Sequence, residues 1–137
     1  MPSTVYLEAP AKTQDLLTLK WLLRSSGCKI VSTWHDEPLL PANGLRSHLT
    51  WPRLEELKLC DTLVVVCGDI EEIPLELAII TGFATAHNLR VIWIGLPLEP
   101  LDHCRNVHFF PTLEEFRKQL GLLTNVQPKT SLDLLVA

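Results

Sequence analysis

A doubly wound α/β domain built on five parallel strands is the fold that this 137-residue sequence predicts. The stretch from Thr62 to Ile94 is the most telling. Thr62–Cys67 and Val91–Ile94 are continuous apolar runs rich in β-branched residues, the pattern of strands covered on both faces. Between them lie an acidic loop, Gly68–Glu72, and a helix started by Pro74, which makes a strand–helix–strand unit. The same alternation of apolar runs and helical periods recurs along the rest of the chain, as a parallel sheet with covering helices requires.

The elements follow in order. Thr4–Leu7 is a short first strand. Thr13–Ser26 carries leucines at 16, 17, 19, 22 and 23 with Trp21, a stripe of near-helical period, and Gly27 stands where a helix stops. Lys29–Trp34 reads as the second strand. The prolines at 38 and 41 and Gly44 mark 36–43 as a loop. A helix over Pro52–Leu59 tolerates its proline in the first turn. The third strand, Thr62–Cys67, precedes a helix over Pro74–His87 and a fourth strand, Val91–Ile94. Val107–Phe110 is a short fifth strand. Thr112 and Glu115 have capping-box spacing and open a last helix to Leu120, with Gly121 as its stop. The division is therefore a domain over 1–121 and a C-terminal tail over 122–137, read as a loose end or a partner-binding arm through Leu132, Leu134 and Leu135.

Composition narrows the class. Hydrophobic residues make up 47% and charged residues 20%, as in a globular domain large enough to bury its own core. The formal charge of −4 argues against a broad phosphate-backbone footprint, so no nucleic acid polymer is expected as partner. No uncharged apolar run approaches the roughly 18 residues of a membrane span. No secretory leader is visible. Four cysteines without C-x-x-C spacing read as reduced thiols in a cytoplasmic protein. The five histidines are scattered without ligand spacing, and no nucleophile elbow, Walker motif or dinucleotide glycine motif occurs. No metal or cofactor is expected.

Several segments, taken in order, carry a resemblance. VYLEAP (Val5–Pro10), STW (Ser32–Trp34), LEELKLCDTLVVV (Leu54–Val66), GFATAHNLRVIWIG (Gly82–Gly95) and HFFPTLEEF (His108–Phe116) together resemble the nucleoside 2-deoxyribosyltransferase-like family. That family includes transferases and deoxynucleoside-monophosphate N-glycosidases. The resemblance implies a flavodoxin-like or Rossmann-like three-layer sandwich and a homodimer or higher homo-oligomer. It also implies a small-molecule nucleoside or nucleotide held at the carboxyl ends of the strands.

The chemistry so implied breaks or exchanges the bond between 2-deoxyribose and its base, which needs a carboxylate near the anomeric carbon. The position matching the family's glutamate is Ile80. Glu76 lies one helical turn earlier on the same side and takes the catalytic place, with Tyr6 of the opening strand positioning it. Arg53 stands where the family has a second carboxylate, and Ala9 replaces a glycine of the opening loop. The substrate-contacting candidates are Glu8, Trp34, His35, Asp36, Arg53 and Asp69. Each has a plainer reading beside it. Glu76 suits the first turn of any helix electrostatically. Asp69 with Glu71 and Glu72 fits a solvated acidic loop. Tyr6 and Trp34 fit the core as well as a pocket. His35 and Asp36 fit loop decoration, and Arg53 fits a surface cation. Asp61 reads as the residue that fixes a helix-to-strand turn.

Three functions are consistent with these residues: an N-glycosidase or deoxyribosyltransferase, a silent relative that binds a nucleotide-derived ligand, or an oligomeric scaffold.

Overall fold

A computed structural model of the chain describes residues 3–10, 14–36, 51–68, 75–96, 101, 104–124 and 131–136. Five strands form one sheet: β1 (Thr4–Glu8), β2 (Lys29–Ile30), β3 (Thr62–Gly68), β4 (Arg90–Gly95) and β5 (Val107–Phe110). Every pairing is parallel and the spatial order is β2-β1-β3-β4-β5. The strand order reverses between β1 and β3, which places a topological switch point there. The helices are α1 (Gln14–Ser25), α2 (Trp51–Lys58), α3 (Leu75–Ala86), α4 (Leu113–Thr124) and α5 (Ser131–Leu135). α1 packs on β2, β3 and α4, and α4 also meets β4, β5 and α5; α2 packs on α3, which lies on β4. The fold class expected from sequence is the one observed.

The core lies along β1, β3 and β4. Val5, Tyr6, Leu7, Leu63, Val64, Val65, Val91, Ile92 and Trp93 have no solvent exposure, so these strands are covered on both faces. The register fixes which residues share a face. Tyr6 pairs with Leu63 and Glu8 with Val65, so Tyr6, Glu8, Val65 and Cys67 fall on one side and Leu7, Val64 and Val66 on the other. The thiols of Cys28, Cys60 and Cys67 are buried and free, and burial pushes each up to about 12. Among the described residues, no helix is long and apolar enough to cross a membrane.

Four local expectations change. In α1 the buried positions are Leu16, Leu19 and Leu23, while Leu17 and Trp21 are 56% and 64% exposed. The inward stripe is narrower than the run of leucines suggests, because residues one and five positions on from Leu16 turn away from the sheet. The second strand is shorter than Lys29–Trp34. Val31 still donates its amide to the Val5 carbonyl at 2.8 Å, but the next ladder position is taken by a side chain. The Leu7 amide donates to Ser32 Oγ at 2.9 Å, and the chain turns into a short 3-10 helix over Trp34–Asp36.

Gly121 does not stop the last large helix. α4 runs through it to Thr124, because an interior glycine costs only about 1 kcal/mol against alanine. The Thr112 cap is present as read, its hydroxyl oxygen accepting the Glu115 amide at 3.1 Å. Nor are residues 131–136 a loose arm. α5 docks at the amino edge of the sheet with Leu132 fully buried, so Leu132 faces the core and no outside partner. Asp133 ties the segment down, accepting from Ser3 Oγ at 2.8 Å and from Arg90 Nη2 at 3.0 Å. α4 therefore crosses the expected boundary at 121, and α5 shares the core of the preceding residues. The loop at 37–50 lies outside the described residues.

Removal of a fully buried leucine from a packed core costs about 2–5 kcal/mol. Leu132→Ala is accordingly expected to lower the stability of the whole domain by that amount in urea unfolding. A loose tail would leave the transition unchanged.

Candidate functional site

Ligands of open parallel sheets bind outside the carboxyl ends of the strands at the switch point, which here means the ends of β1 and β3 with the segments that follow. β1 ends in Glu8. Its side chain has no solvent exposure, and its Oε1 accepts the amide of the next residue, Ala9, at 3.0 Å. A carboxylate buried at the end of a central strand is costly and needs polar company. It also acts on its surroundings: after burial itself, the Glu8 charge is the second cause that raises the neighbouring Cys67 thiol. Tyr6, two residues earlier on the same face, is equally buried.

The shoulder beside β1 comes from the end of β2. Trp34 is buried to 2% exposure and its Nε1 donates to the Leu7 carbonyl at 2.7 Å. Of the two readings of Trp34, core or pocket, its burial and this hydrogen bond to β1 match the core one. Trp34 meets the His35 ring edge-to-face, centroids 5.5 Å apart. The Arg53 guanidinium of α2 sits 5.9 Å from the Trp34 ring centroid, within cation–π range. α2 is also fastened here by Glu56, whose carboxylate takes the Thr33 hydroxyl at 2.7 Å and the Thr33 amide at 3.3 Å.

His35 forms the polar centre of this shoulder. Its Nε2 lies 2.8 Å from Ser32 Oγ and its Nδ1 3.6 Å from Asp36 Oδ1. Burial lowers its pKa below the ordinary 6.5, the Lys20 ammonium adds to that, and Asp36 partly opposes it. The ring is therefore neutral at neutral pH. Asp36 is exposed and ion-paired with Lys20 of α1, whose hydrogen bond lowers the Asp36 carboxyl.

The structure thus brings Trp34, His35, Asp36 and Arg53 into contact and joins them, through Leu7, to the strand that carries Tyr6 and Glu8. Glu76 stands apart from these contacts. It is half-buried in the first turn of α3, on the far side of the switch point, where the positive end of the helix dipole favours a carboxylate. Ile80, one turn on, is 2% exposed and belongs to the core. Asp69 lies outside the described residues, as do Glu71 and Glu72. Sequence reasoning missed Lys20, Ser32, Thr33 and Glu56 as the residues that hold this shoulder. A hydroxyl pair just where a strand should run on was the available signal for two of them.

Other features lie elsewhere. Asp61 fixes the turn into β3, taking the Thr62 hydroxyl at 2.7 Å and the Thr4 amide at 3.2 Å. A hollow of about 260 Å³ lined by Lys58, Cys60, Asp61, His87, Asn88 and Leu89 opens at the amino edge, away from every candidate. No group of three or more potential metal ligands occurs among the described residues.

Comparison with known proteins reveals the fold alone. No family model and no curated protein matches the chain. Among solved structures, the CMP N-glycosidase BcmB of Clostridium botulinum superposes with a TM-score of 0.60 at 18% identity. The match covers 87% of this chain and 98% of that one. The 2-deoxyribosyltransferase of Bacillus psychrosaccharolyticus gives the same TM-score and identity over 84% of this chain and 90% of its own.

The His35 environment sets a pH dependence. A histidine whose folded pKa is depressed supports the fold fully above its unfolded value of 6.5, and that support is lost as pH falls toward the folded value. Unfolding midpoints are expected to drop between about pH 7.5 and pH 5, and the drop should shrink in His35→Gln. His108, lowered mainly by burial, contributes in the same direction, so the variant flattens the profile without abolishing its slope. An unchanged profile would show that His35 does not sense pH.

Proposed function

We propose that the chain recognises a 2′-deoxynucleoside at the carboxyl edge of its sheet and cleaves or transfers the N-glycosidic bond. The observation that carries this reading is a carboxylate on each side of the strand-order reversal: Glu8 at the end of β1 and Glu76 in the first turn of the helix after β3. Breaking the bond between sugar and base leaves an oxocarbenium-like sugar, and a carboxylate beside the anomeric carbon lowers that barrier by bonding to it or by its charge. Glu76 has the reach for this role, since it is half-buried at the crevice rather than sealed. Tyr6 positions it. Trp34, His35, Asp36 and Arg53 form the wall beside β1, and Asp69 is assigned to a sugar hydroxyl.

Glu8 refines the ligand class. A backbone amide at the end of the first strand is the usual handhold for a phosphate. Here the Ala9 amide already donates to the Glu8 side chain, so it is not free for a phosphate. This supports a nucleoside over its 5′-monophosphate at that end of the crevice. The likeness of fold to an N-glycosidase and a deoxyribosyltransferase is consistent with the reading.

A second reading is favoured by Ile80. An apolar core residue where the resemblance expects the family's glutamate suits a relative that binds a nucleotide-derived ligand without turnover. The two readings separate in one experiment. Incubation with a panel of 2′-deoxynucleosides and their 5′-monophosphates should release free base, preferentially from the nucleosides. Glu76→Gln should cut that release on the order of 10³-fold or more. Undiminished release in the variant would remove Glu76 from the mechanism. Saturable binding without any free base would establish the silent reading instead.

A further inference from the structure

The shoulder beside β1 is strung on a chain of hydrogen bonds that runs in one direction. The Leu7 backbone N–H is a fixed donor, and it gives its proton to Ser32 Oγ at 2.9 Å. Among the described residues, Ser32 Oγ has one further partner, His35 Nε2 at 2.8 Å. A serine hydroxyl carries a single proton, and here it goes to Nε2. Nε2 is therefore bare, and the neutral ring keeps its own proton on Nδ1.

Nδ1 is where the chain breaks. It is buried and makes no hydrogen bond. Asp36 Oδ1 stands 3.6 Å away, too far for one, and Lys20 holds that same oxygen. Native structures leave few buried donors unpaired, so this one calls for a reason. Asp36 is exposed, and a small turn of its side chain would close the gap.

Charges reach the ring from its own segment and from two helices. Lys20 and Arg24 of α1 oppose a charge on it, and Asp36 favours one. From α2, Arg53 lies over the Trp34 ring and Glu56 is bonded to Thr33. The balance therefore turns on whether the Asp36 carboxylate sits with Lys20 or with Nδ1.

We propose that this chain is a pH-sensitive latch: a proton taken up from solvent at His35 Nε2 reverses the bond to Ser32, draws Asp36 from Lys20 to Nδ1, and loosens the shoulder from Leu7. Once Nε2 is a donor, Ser32 Oγ faces two N–H groups, and its own buried proton has no acceptor. A hydrogen bond from a charged donor is the stronger of the two, so the one from Leu7 gives way. Burial and the Lys20 charge disfavour the imidazolium, so the change sets in below pH 6.5. The latch is closed at neutral pH and opened by acid. It does not depend on what the crevice binds, and absence of base release leaves it untouched.

Solution NMR of the full chain tests it. At about pH 7.5 the His35 ring should carry its proton on Nδ1. As the ring titrates below pH 6.5, the Leu7 amide should lose protection from exchange, corrected for intrinsic rate, by about tenfold or more relative to Val31. Val31 is the control because its amide donates to a backbone carbonyl, that of Val5. In His35→Gln the side-chain oxygen takes the Ser32 proton and cannot titrate, so Leu7 should stay protected throughout. Lys20→Met should move the ring's titration upward, because a cation is lost and Asp36 is released to Nδ1. A proton found on Nε2 at neutral pH would overturn the proposal. So would a Leu7 amide that follows Val31 through the titration, a titration unmoved in Lys20→Met, or a ring that stays neutral down to acid unfolding.

Discussion

The candidate site rests on how Leu7 is bonded. On the β2 side of β1, the carbonyls of Ser3 and Val5 take backbone amides of the neighbouring strand, from Lys29 and Val31. Leu7 comes next in that phase, yet both of its groups are met by side chains: its amide by Ser32 Oγ, its carbonyl by Trp34 Nε1. Buried backbone groups must be satisfied, and a lost partner there costs about 1–3 kcal/mol. The substitution therefore holds two side chains as firmly as a ladder would hold a strand. Once Ser32 and Trp34 are placed, His35 is held by Ser32, Arg53 has the indole to lie over, and Glu56 closes on Thr33. One residue's hydrogen bonds thus locate a wall contributed by two distant segments.

That same exchange explains what the sequence reveals and what it hides. Strands β3 and β4 are legible because burial on both faces leaves only apolar, β-branched residues to read. The start of α4 is legible because its cap is local chemistry between Thr112 and Glu115. The end of β2 is not, since Lys29–Trp34 keeps strand-like composition while the ladder passes from backbone to the Ser32 side chain. Gly121 misleads for a related reason: glycine stops a helix only when the chain needs a left-handed residue there. Gly27 at φ 90° meets that condition, and so does Asn88 at φ 60° after α3. The docking of α5 depends on Arg90 and Ser3 reaching Asp133 across more than forty residues, a contact that no window of sequence contains.

Of the candidate residues, type was legible and partnership was not. Trp34, His35, Asp36 and Arg53 were picked out one by one, yet their mutual contacts arise from the fold of β1 against β2 and α2. Glu8 shows the limit most clearly. In sequence it is an acidic residue near a loop; in the fold it is a buried carboxylate that takes the Ala9 amide and raises the Cys67 thiol. The Ala9 amide, donating to that side chain, is not offered to another acceptor, a local difference within a fold that many chemistries share.

Helix α3 links the crevice to the surface. Its inner face must stay apolar to cover β4, and its first turn carries Glu76. Those demands leave the outer face unconstrained. Leu75 and Ile79 are exposed there at a cost in water, and Gly82 weakens the helix that carries them.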